Sequence, residues 1–548
     1  MSVPQLLFHA QSLAQQGRGQ EALALFDQAL SQAPDMAEAW FHRGNLLTAM
    51  GRHEEAAASY TKVLSRLPGH VNSLNNRAVA LQRVGRFSEA ARDFEAVLAN
   101  APQHRQALGG LANCTLHACD WSRREEWIRR LHAAVRTDSA DVTPGLLLGY
   151  SDDPALLLAA ARHLIRRRFP AAPEPLWRGA PFARDRIRLA YCSADFNAHA
   201  TARLMAELIE RHNRDRFEII AIDFSAEDGS DIRGRLVKAF DQFHRLRRES
   251  DSVIAKRIAD LGVDIAVDLK GFTTEARTGI FARRPAPIQV NYLGFPGSMG
   301  ANFMDYVLAD PVVLPQSEQS FYAETILHLP DCYQPTDSTR PRLPPPARIE
   351  AGLPDEGFVF CCFNNNWKIT PPLFDIWMRL LKAVPGSVLW LLEDNREASA
   401  NFSREAARRG VEADRIIFAP RATMNAHLAR HQLADLFLDT LPYNAHTTAS
   451  DCLWAGVPLV TCRGNAFHGR VAASLLHAIG LDELVTENLA DYEALALALA
   501  REPGRLAGLR EKLAQNRATR PLFDTERFAR AIEAAYFAMR DSWRAKHS

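Results

Sequence analysis

A period of 34 residues constrains the first hundred residues more than any other feature of this chain. Gly17, Gly51 and Gly85 are spaced by it, each followed by an arginine (Arg18, Arg52, Arg86). Ala22, Ala56 and Ala90 keep the same phase, as do the aromatics Phe26, Tyr60 and Phe94 and the prolines Pro34, Pro68 and Pro102. Chance periodicity in an alanine-rich helical chain does not hold four positions in register over three units. The pattern predicts two antiparallel helices per unit. Glycine makes the turn between them, small alanine lets the backbones approach, the aromatic fills the space alongside, and proline closes the second helix. A stack of such pairs is an α-solenoid, whose units bury their apolar faces only against neighbours.

This is the tetratricopeptide spacing. A fourth unit begins at Arg105 but carries Cys119, Asp120 and Trp121 where the turn glycine belongs, and it reads as the atypical repeat that closes the stack. Repeats are therefore expected over residues 1–120, with a helical, proline-punctuated linker continuing the solenoid over 121–184. The basic run Arg166–Arg168 has no interleaved aromatics and reads as a solvated helix face. With 65 Lys+Arg against 64 Asp+Glu, the chain has no global electrostatic footprint for nucleic acid or an anionic membrane, and neither is an expected partner. No apolar run approaches a membrane span, and the first residues lack the regions of a secretory leader. The eight cysteines show no CxxC pair and no alternation with histidine. Neither a disulfide framework nor a metal site is expected, and the compartment is read as the reducing cytoplasm.

From about residue 185 short β-branched runs replace the repeat: IRLAYCSADF, FEIIAIDFS, VDIAVDLKG, IQVNYLGFPG and YVLADPVVL. After PRLPPPARIEAGLP (341–354) a second set follows: FVFCCFNN, SVLWLLED, RIIFAP, LADLFLDT and PLVTC. Continuous apolar strands alternating with amphipathic helices specify parallel sheets covered on both faces. The expected fold is an N-terminal tetratricopeptide α-solenoid followed by two Rossmann-like doubly wound lobes, 185–340 and 341–548, the second including the final helix. Ligands of such lobes sit outside the carboxyl ends of the strands, at the switch point of the sheet. The absence of GxGxxG after the first strand disfavours a dinucleotide oxidoreductase.

The segment LADLFLDTLPYNAHTTASDCLWAGVP (433–458) ends a buried strand at Asp439, turns through Pro-Tyr-Asn, and opens a helix at His446, Thr447 and Thr448. Two threonines at a helix N-terminus offer hydroxyls, free amides and a favourable dipole to an anion. Asp451, four residues after Thr447, shares that helical face, where its carboxylate could take ribose hydroxyls. An ordinary N-cap with a first-turn aspartate fits the same residues. Lys368, in CCFNNNWKITPP, follows the first strand of the second lobe, a place that favours a phosphate partner over bulk solvent; Asn364 and Asn365 beside it can be turn residues. His199, in SADFNAHATARL, stands in a strand-to-helix loop, where a histidine serves as base, hydrogen-bond donor or helix cap. The loop GFPGSMG, with Gly294, Gly297 and Gly300, lets a ligand approach backbone or makes a plain turn.

Taken in order, the repeats ending in CDW, then SADFNAH, RPAPIQVNYLGFPG, CCFNNNWKI and LDTLPYNAHTTASDCLWAGVP resemble the O-linked N-acetylglucosamine transferase family over about residues 5–540. The likeness is to its bacterial members, which have few repeats and no long insertion between the lobes. The resemblance implies a GT-B-type, inverting, metal-independent enzyme without a cofactor. Its reaction would move N-acetylglucosamine from UDP-N-acetylglucosamine to Ser/Thr hydroxyls of protein. Lys368 would then contact the donor diphosphate and stabilise the leaving group. Thr447 and Thr448 would hold the phosphates, with His446 just before them. Asp451 would take the ribose, and His427 and Arg430 would pack near the uracil. Asn365 stands where animal enzymes have glutamine, and Pro296 and Gly297 would lie beside the sugar. His199 corresponds to a histidine once proposed as general base and better regarded as positioning the sugar and acceptor. Relatives of the same architecture transfer fucose from GDP-fucose, or glucose from UDP-glucose; the other alternative is a repeat scaffold with weak or no transferase activity, against which intact Lys368, Thr447, Thr448 and Asp451 argue. Protein or peptide acceptors are expected to meet the repeats. Animal repeats carry an inner-helix asparagine in each unit; the corresponding positions here are His42, Asn76 and Gly110, of which only Asn76 keeps it.

Overall fold

The computed structural model describes residues 1–171, 174–178, 182 and 184–547; Ala172, Pro173, Gly179, Ala180, Pro181 and Ala183 of the proline-punctuated run lie outside the described residues, as does Ser548. The chain divides into two compact units, Met1–Val142 with Asn395–Phe402, and Thr143–Asp394 with Ser403–Ser548.

In the first unit three helix pairs follow the period, α1 (Val3–Gln15) with α2 (Gly19–Gln32), α3 (Ala37–Ala49) with α4 (His53–Leu64) and α5 (Val71–Arg83) with α6 (Phe87–Asn100), and a fourth joins α7 (Ala107–His117) to α8 (Arg124–Thr137). Gly17, Gly51 and Gly85 turn each pair at φ +76°, +75° and +78°, a left-handed conformation that glycine adopts without steric cost. At the fourth turn Cys119 takes the same conformation, φ +53°. The fold imposes the backbone there even where the sequence no longer offers a glycine. Arg18, Arg52 and Arg86 each hold a glutamate three residues on, Glu21, Glu55 and Glu89, at the start of the second helix. These pairs are exposed and add little stability.

The repeats extend beyond residue 120. Helix α8, expected within the linker, is the second helix of the fourth pair, and Arg105 ties its end to the start of that unit by donating to the Asp138 carbonyl at 2.8 Å and to Asp141 Oδ1 at 3.0 Å. The three ladder positions also differ physically. Asn76 Nδ2 donates to Asn45 Oδ1 at 3.1 Å, and His42 stacks on Phe26. At Gly110 a Cβ would lie 2.4 Å from the Phe94 ring, so no side chain fits.

The second unit holds two parallel sheets. The first runs β3-β2-β1-β4-β5-β6-β7, with β1 (Ile187–Ser193), β2 (Phe217–Asp223), β3 (Gln242–Arg245), β4 (Ile265–Asp268), β5 (Ile288–Asn291), β6 (Tyr306–Ala309) and β7 (Thr325–His328). The second runs β10-β9-β8-β11-β12-β13, with β8 (Val359–Cys362), β9 (Val388–Leu392), β10 (Ile416–Ala419), β11 (Leu436–Leu438), β12 (Leu459–Cys462) and β13 (Val485–Thr486). Every residue of β4, β5, β8, β9 and β12 is buried, as required of strands covered on both faces. The final helix, Thr525–His547, was expected with the second lobe but packs on the first. Tyr536 and Tyr191 share a hydrogen bond at 3.1 Å, and Glu533 Oε1 accepts from Asn213 N at 2.8 Å. Its apolar stripe, Ala529, Ile532, Ala535, Tyr536 and Met539, is buried, and amphipathicity alone does not say which sheet a helix will cover.

Candidate functional site

Each sheet reverses its strand order beside its first strand: β1 lies between β2 and β4, and β8 between β9 and β11. The loops leaving these strands diverge to opposite faces and open a crevice. His199, Lys368 and the Thr447–Thr448 helix start follow β1, β8 and β11 at these points, while the glycine loop follows β5 and the His427–Arg430 helix follows β10.

In the second lobe, β8 runs into a tight turn that buries Lys368. Its Nζ donates to the Asn444 carbonyl at 2.9 Å and lies 3.7 Å from the centroid of the Tyr443 ring. Among the described residues no carboxylate is within ion-pair distance of it. Burial lowers its pKa to about 7, against the opposing effects of Asp439 and Cys362. Asn366, next to the exposed Asn365, is buried and anchors the turn to the Leu392 carbonyl. Asn364 donates to Thr440 Oγ1 at 2.7 Å, so it joins the loops after β8 and β11. Asp439 organises the latter loop, accepting from the amides of Thr440 and Ala445 and from the Thr461 hydroxyl.

Three residues beyond Asn444, the helix Thr447–Ala455 begins with no side-chain cap. The first-turn amides of Thr447 and Thr448, which no helix can satisfy internally, stand with both hydroxyls at its open end. His446 is held by its Nε2–H donating to the His468 carbonyl at 3.2 Å. Burial, reinforced by Lys368, keeps its imidazole neutral, which leaves Nδ1 as an acceptor. Asp451 is buried and already engaged: Arg340 donates to its Oδ1 at 2.8 Å. That arginine comes from the segment joining the lobes and stacks over Trp454. With Arg203, Asp231, Thr423 and Met424 it also lines a cavity of about 570 Å³.

His427 and Arg430 meet across one helical turn as their spacing predicts. Arg430 donates to His427 Nδ1 through Nε at 3.1 Å and through its terminal nitrogen at 2.8 Å. Since an arginine only donates, the His427 proton is on Nε2. In the first lobe His199 caps the helix Ala200–Arg211. Pro296 and Gly297 are buried, and the glycines beside them answer to the chain's own packing. A Cβ at Gly294 would lie 2.1 Å from the Leu269 carbonyl oxygen, and one at Gly300 2.7 Å from the Arg162 amide. Beneath this loop the fully buried Glu324 accepts from Ser298 Oγ at 2.5 Å and Met299 N at 2.7 Å.

Sequence reasoning did not single out Arg340, Asn444, Glu324, Asp195 or Lys270. Only the last two carried a signal, charged residues directly after continuous apolar strands. Among the described residues no group of three or more His, Cys, Asp or Glu could hold a metal ion.

The family signature described as glycosyl transferase family 41 matches residues 176–341 and 340–532, and that of the tetratricopeptide repeat matches 9–71 and 75–138. A probable UDP-N-acetylglucosamine–peptide N-acetylglucosaminyltransferase of Arabidopsis thaliana is 36% identical over 443 residues, 77% of this chain and 45% of that protein. The UDP-N-acetylglucosamine–peptide N-acetylglucosaminyltransferase of Caenorhabditis elegans is 28% identical over 462 residues, 64% of this chain and 40% of that protein. The chain thus spans less than half the length of these relatives. A solved structure of a Thermobaculum terrenum O-GlcNAc transferase mutant superposes with a TM-score of 0.74 at 27% identity, covering 99% of this chain and 98% of that one.

Proposed function

The chain belongs to glycosyl transferase family 41, and from that premise we propose that it is an inverting, metal-independent transferase moving N-acetylglucosamine from UDP-N-acetylglucosamine to Ser/Thr hydroxyls of protein. One observation carries the reading: a buried lysine and an uncapped helix N-terminus converge on the turn around Asn444 at the switch point of the second sheet. Both attract a diphosphate, one as a fixed charge and one as a set of oriented amides.

The acceptor hydroxyl oxygen attacks the anomeric carbon on the face opposite the phosphate. The bond from that carbon to the β-phosphate oxygen breaks, and its electron pair stays on the departing UDP. Charge growing on that oxygen meets the Lys368 ammonium and the amides at Thr447 and Thr448, preorganised in a water-poor site. These groups take the part a divalent cation plays elsewhere. The acceptor proton passes to a donor phosphate oxygen, which requires no side chain. Asp451, held by Arg340, receives the ribose, and His427 presents its Nε2–H toward the base.

The repeats serve as the platform for protein acceptors, through contacts other than an asparagine ladder. The eight cysteines are all free and buried thiols, which suits a reducing cytoplasm; no helix among the described residues is long and apolar enough to cross a membrane.

The test pairs calorimetry of UDP against GDP with mass spectrometry of protein incubated with the full chain and labelled UDP-N-acetylglucosamine, UDP-glucose or GDP-fucose. The proposal expects UDP to bind, GDP to compete poorly, and N-acetylhexosamine to appear on Ser/Thr. Preferential binding of GDP, or transfer of fucose or hexose alone, would overturn it.

A further inference from the structure

The switch point of the first sheet holds a second buried lysine. Strands β1 and β4 are neighbours, and the loops leaving them carry Asp195 and Lys270. Lys270 is 3% exposed, and its Nζ donates to both Asp195 oxygens, at 2.7 and 2.6 Å. Four residues after Asp195, His199 leaves about half of its side chain exposed. Its Nδ1 accepts from the Thr201 amide at 3.2 Å. A backbone amide can only donate, so Nδ1 must carry a lone pair, and the neutral ring must carry its proton on Nε2.

That arrangement has a local opponent. Asp195 Oδ2 lies 3.5 Å from the same Nδ1. An unneutralised carboxylate there would repel the lone pair, draw a proton onto Nδ1 and abolish the bond from Thr201. Lys270 removes the conflict by engaging both carboxylate oxygens. The loop is further pinned by Asp195 N donating to Ser193 Oγ and Ala198 N donating to Asp228 Oδ2.

We propose that Lys270, acting through Asp195, is a positioning residue that fixes His199 as the Nε2–H tautomer. The nitrogen it offers to a ligand is then a hydrogen-bond donor and not a base. Resting on the transferase reading, this assigns His199 the task of donating to a sugar or acceptor oxygen and denies it the acceptor proton. Burial also disfavours the imidazolium, with Lys270 counteracting the pull of Asp195.

The experiment is two-bond ¹H–¹⁵N correlation NMR on the full chain carrying ¹⁵N-histidine, with the His199 signals assigned by their loss in His199→Gln. At pH 7.5 and without ligand, wild type should show a bare Nδ1 and a protonated Nε2. In Lys270→Met the bare Nδ1 signal should be lost as the proton moves there. Lys270→Arg should keep the wild-type pattern, and adding Asp195→Asn to Lys270→Met should restore it. A protonated Nδ1 in wild type overturns the proposal without any variant, and so covers the case in which Lys270→Met does not fold. An unchanged pattern in a folded Lys270→Met overturns the role of Lys270. UDP calorimetry on the same samples separates this outcome from the donor reading: a chain that binds UDP yet shows Nδ1–H refutes only the tautomer.

Discussion

UDP binding should weaken as the pH rises above 7, because the lysine that meets the diphosphate is buried. Burial places the Lys368 pKa at about 7 in the free protein, and a bound diphosphate favours its charged form. Below pH 7 the protein meets the ligand already protonated. Above pH 7 it must take up a proton on binding, so each further unit costs about 1.4 kcal/mol, a factor of ten. With half the lysine charged at pH 7, affinity should fall about fifteenfold between pH 7 and 8.5. Neighbouring groups do not cross their titrations in that window: burial raises Asp439 only to about 6 and lowers His468 to about 3. Calorimetry in buffers of different ionisation enthalpy reads both the affinity and the proton uptake, which should approach one proton at pH 8.5. Lys368→Arg stays charged and should be flat across the range, and Lys368→Met should be flat and weaker at pH 7. Turnover in Lys368→Met should fall by ~10²–10³, the usual loss for one preorganised transition-state donor. Wild-type affinity that does not change from pH 7 to 8.5, or a slope that survives in Lys368→Met, refutes the assignment.

Arg340→Met should erase the preference for UDP over 2′-deoxy-UDP, about tenfold or more for a hydrogen bond to a charged group. Equal preference in wild type and variant would remove Asp451 and Arg340 from ribose recognition. Chelator should leave the UDP affinity unchanged; a loss in EDTA reversed by magnesium would end the metal-independent reading. In the repeats, Gly85→Ala meets no neighbouring atom and should cost about 1–2 kcal/mol from the left-handed backbone alone. Gly110→Asn should cost about 1–3 kcal/mol or more through its clash with Phe94, followed by circular dichroism during chemical denaturation. A Gly110→Asn chain as stable as wild type would show that the fourth unit has room for a ladder rung.

The helix pairs and the central strands were legible because each rests on a periodic signal. A glycine forced to positive φ recurs every 34 residues, and strands buried on both faces are unbroken apolar runs. The edge strands β3, β7 and β13 were not legible: QFHR, TILH and VT are short and only partly buried. Helix α8 reads in the sequence as linker and not as the second helix of the fourth unit, because Cys119 stands where the turn glycine belongs and still takes the glycine-like backbone. In the site, Lys368, Thr447 and Thr448 stand out by loop position and by a helix start, whereas His427 and Arg430 enter through the family resemblance, and their i, i+3 spacing accounts for the contact between them. Arg340 lies 111 residues from Asp451, and no local pattern joins them. The glycine loop was ambiguous in sequence, and contacts with Leu269 and Arg162 account for Gly294 and Gly300.

The two switch points place the same residue type in opposite electrostatic circumstances, and this contrast separates a structural lysine from one held ready for a ligand. Lys270 is neutralised by both oxygens of Asp195. Among the described residues Lys368 is offered a carbonyl and the rings of Tyr443 and Trp367 but no ion-pair partner, which does not offset the cost of burying a charge. Such a site is tolerable where a bound anion completes it. The two lysines should therefore respond oppositely when removed from the ligand-free chain. Lys270→Met strands a buried carboxylate and should destabilise by about 3–5 kcal/mol. Lys368→Met relieves a buried ammonium and should raise the unfolding temperature, most clearly below pH 7. The unfolded chain holds the Lys368 proton up to its ordinary range near 10.5 while the folded chain releases it at about 7. Wild-type stability therefore gains on the variant as pH rises through that interval, and saturating UDP should reverse the order at pH 7. If Lys368→Met lowers the unfolding temperature of the ligand-free chain at pH 6.5 as Lys270→Met does, then Lys368 is a structural residue and the phosphate site lies elsewhere.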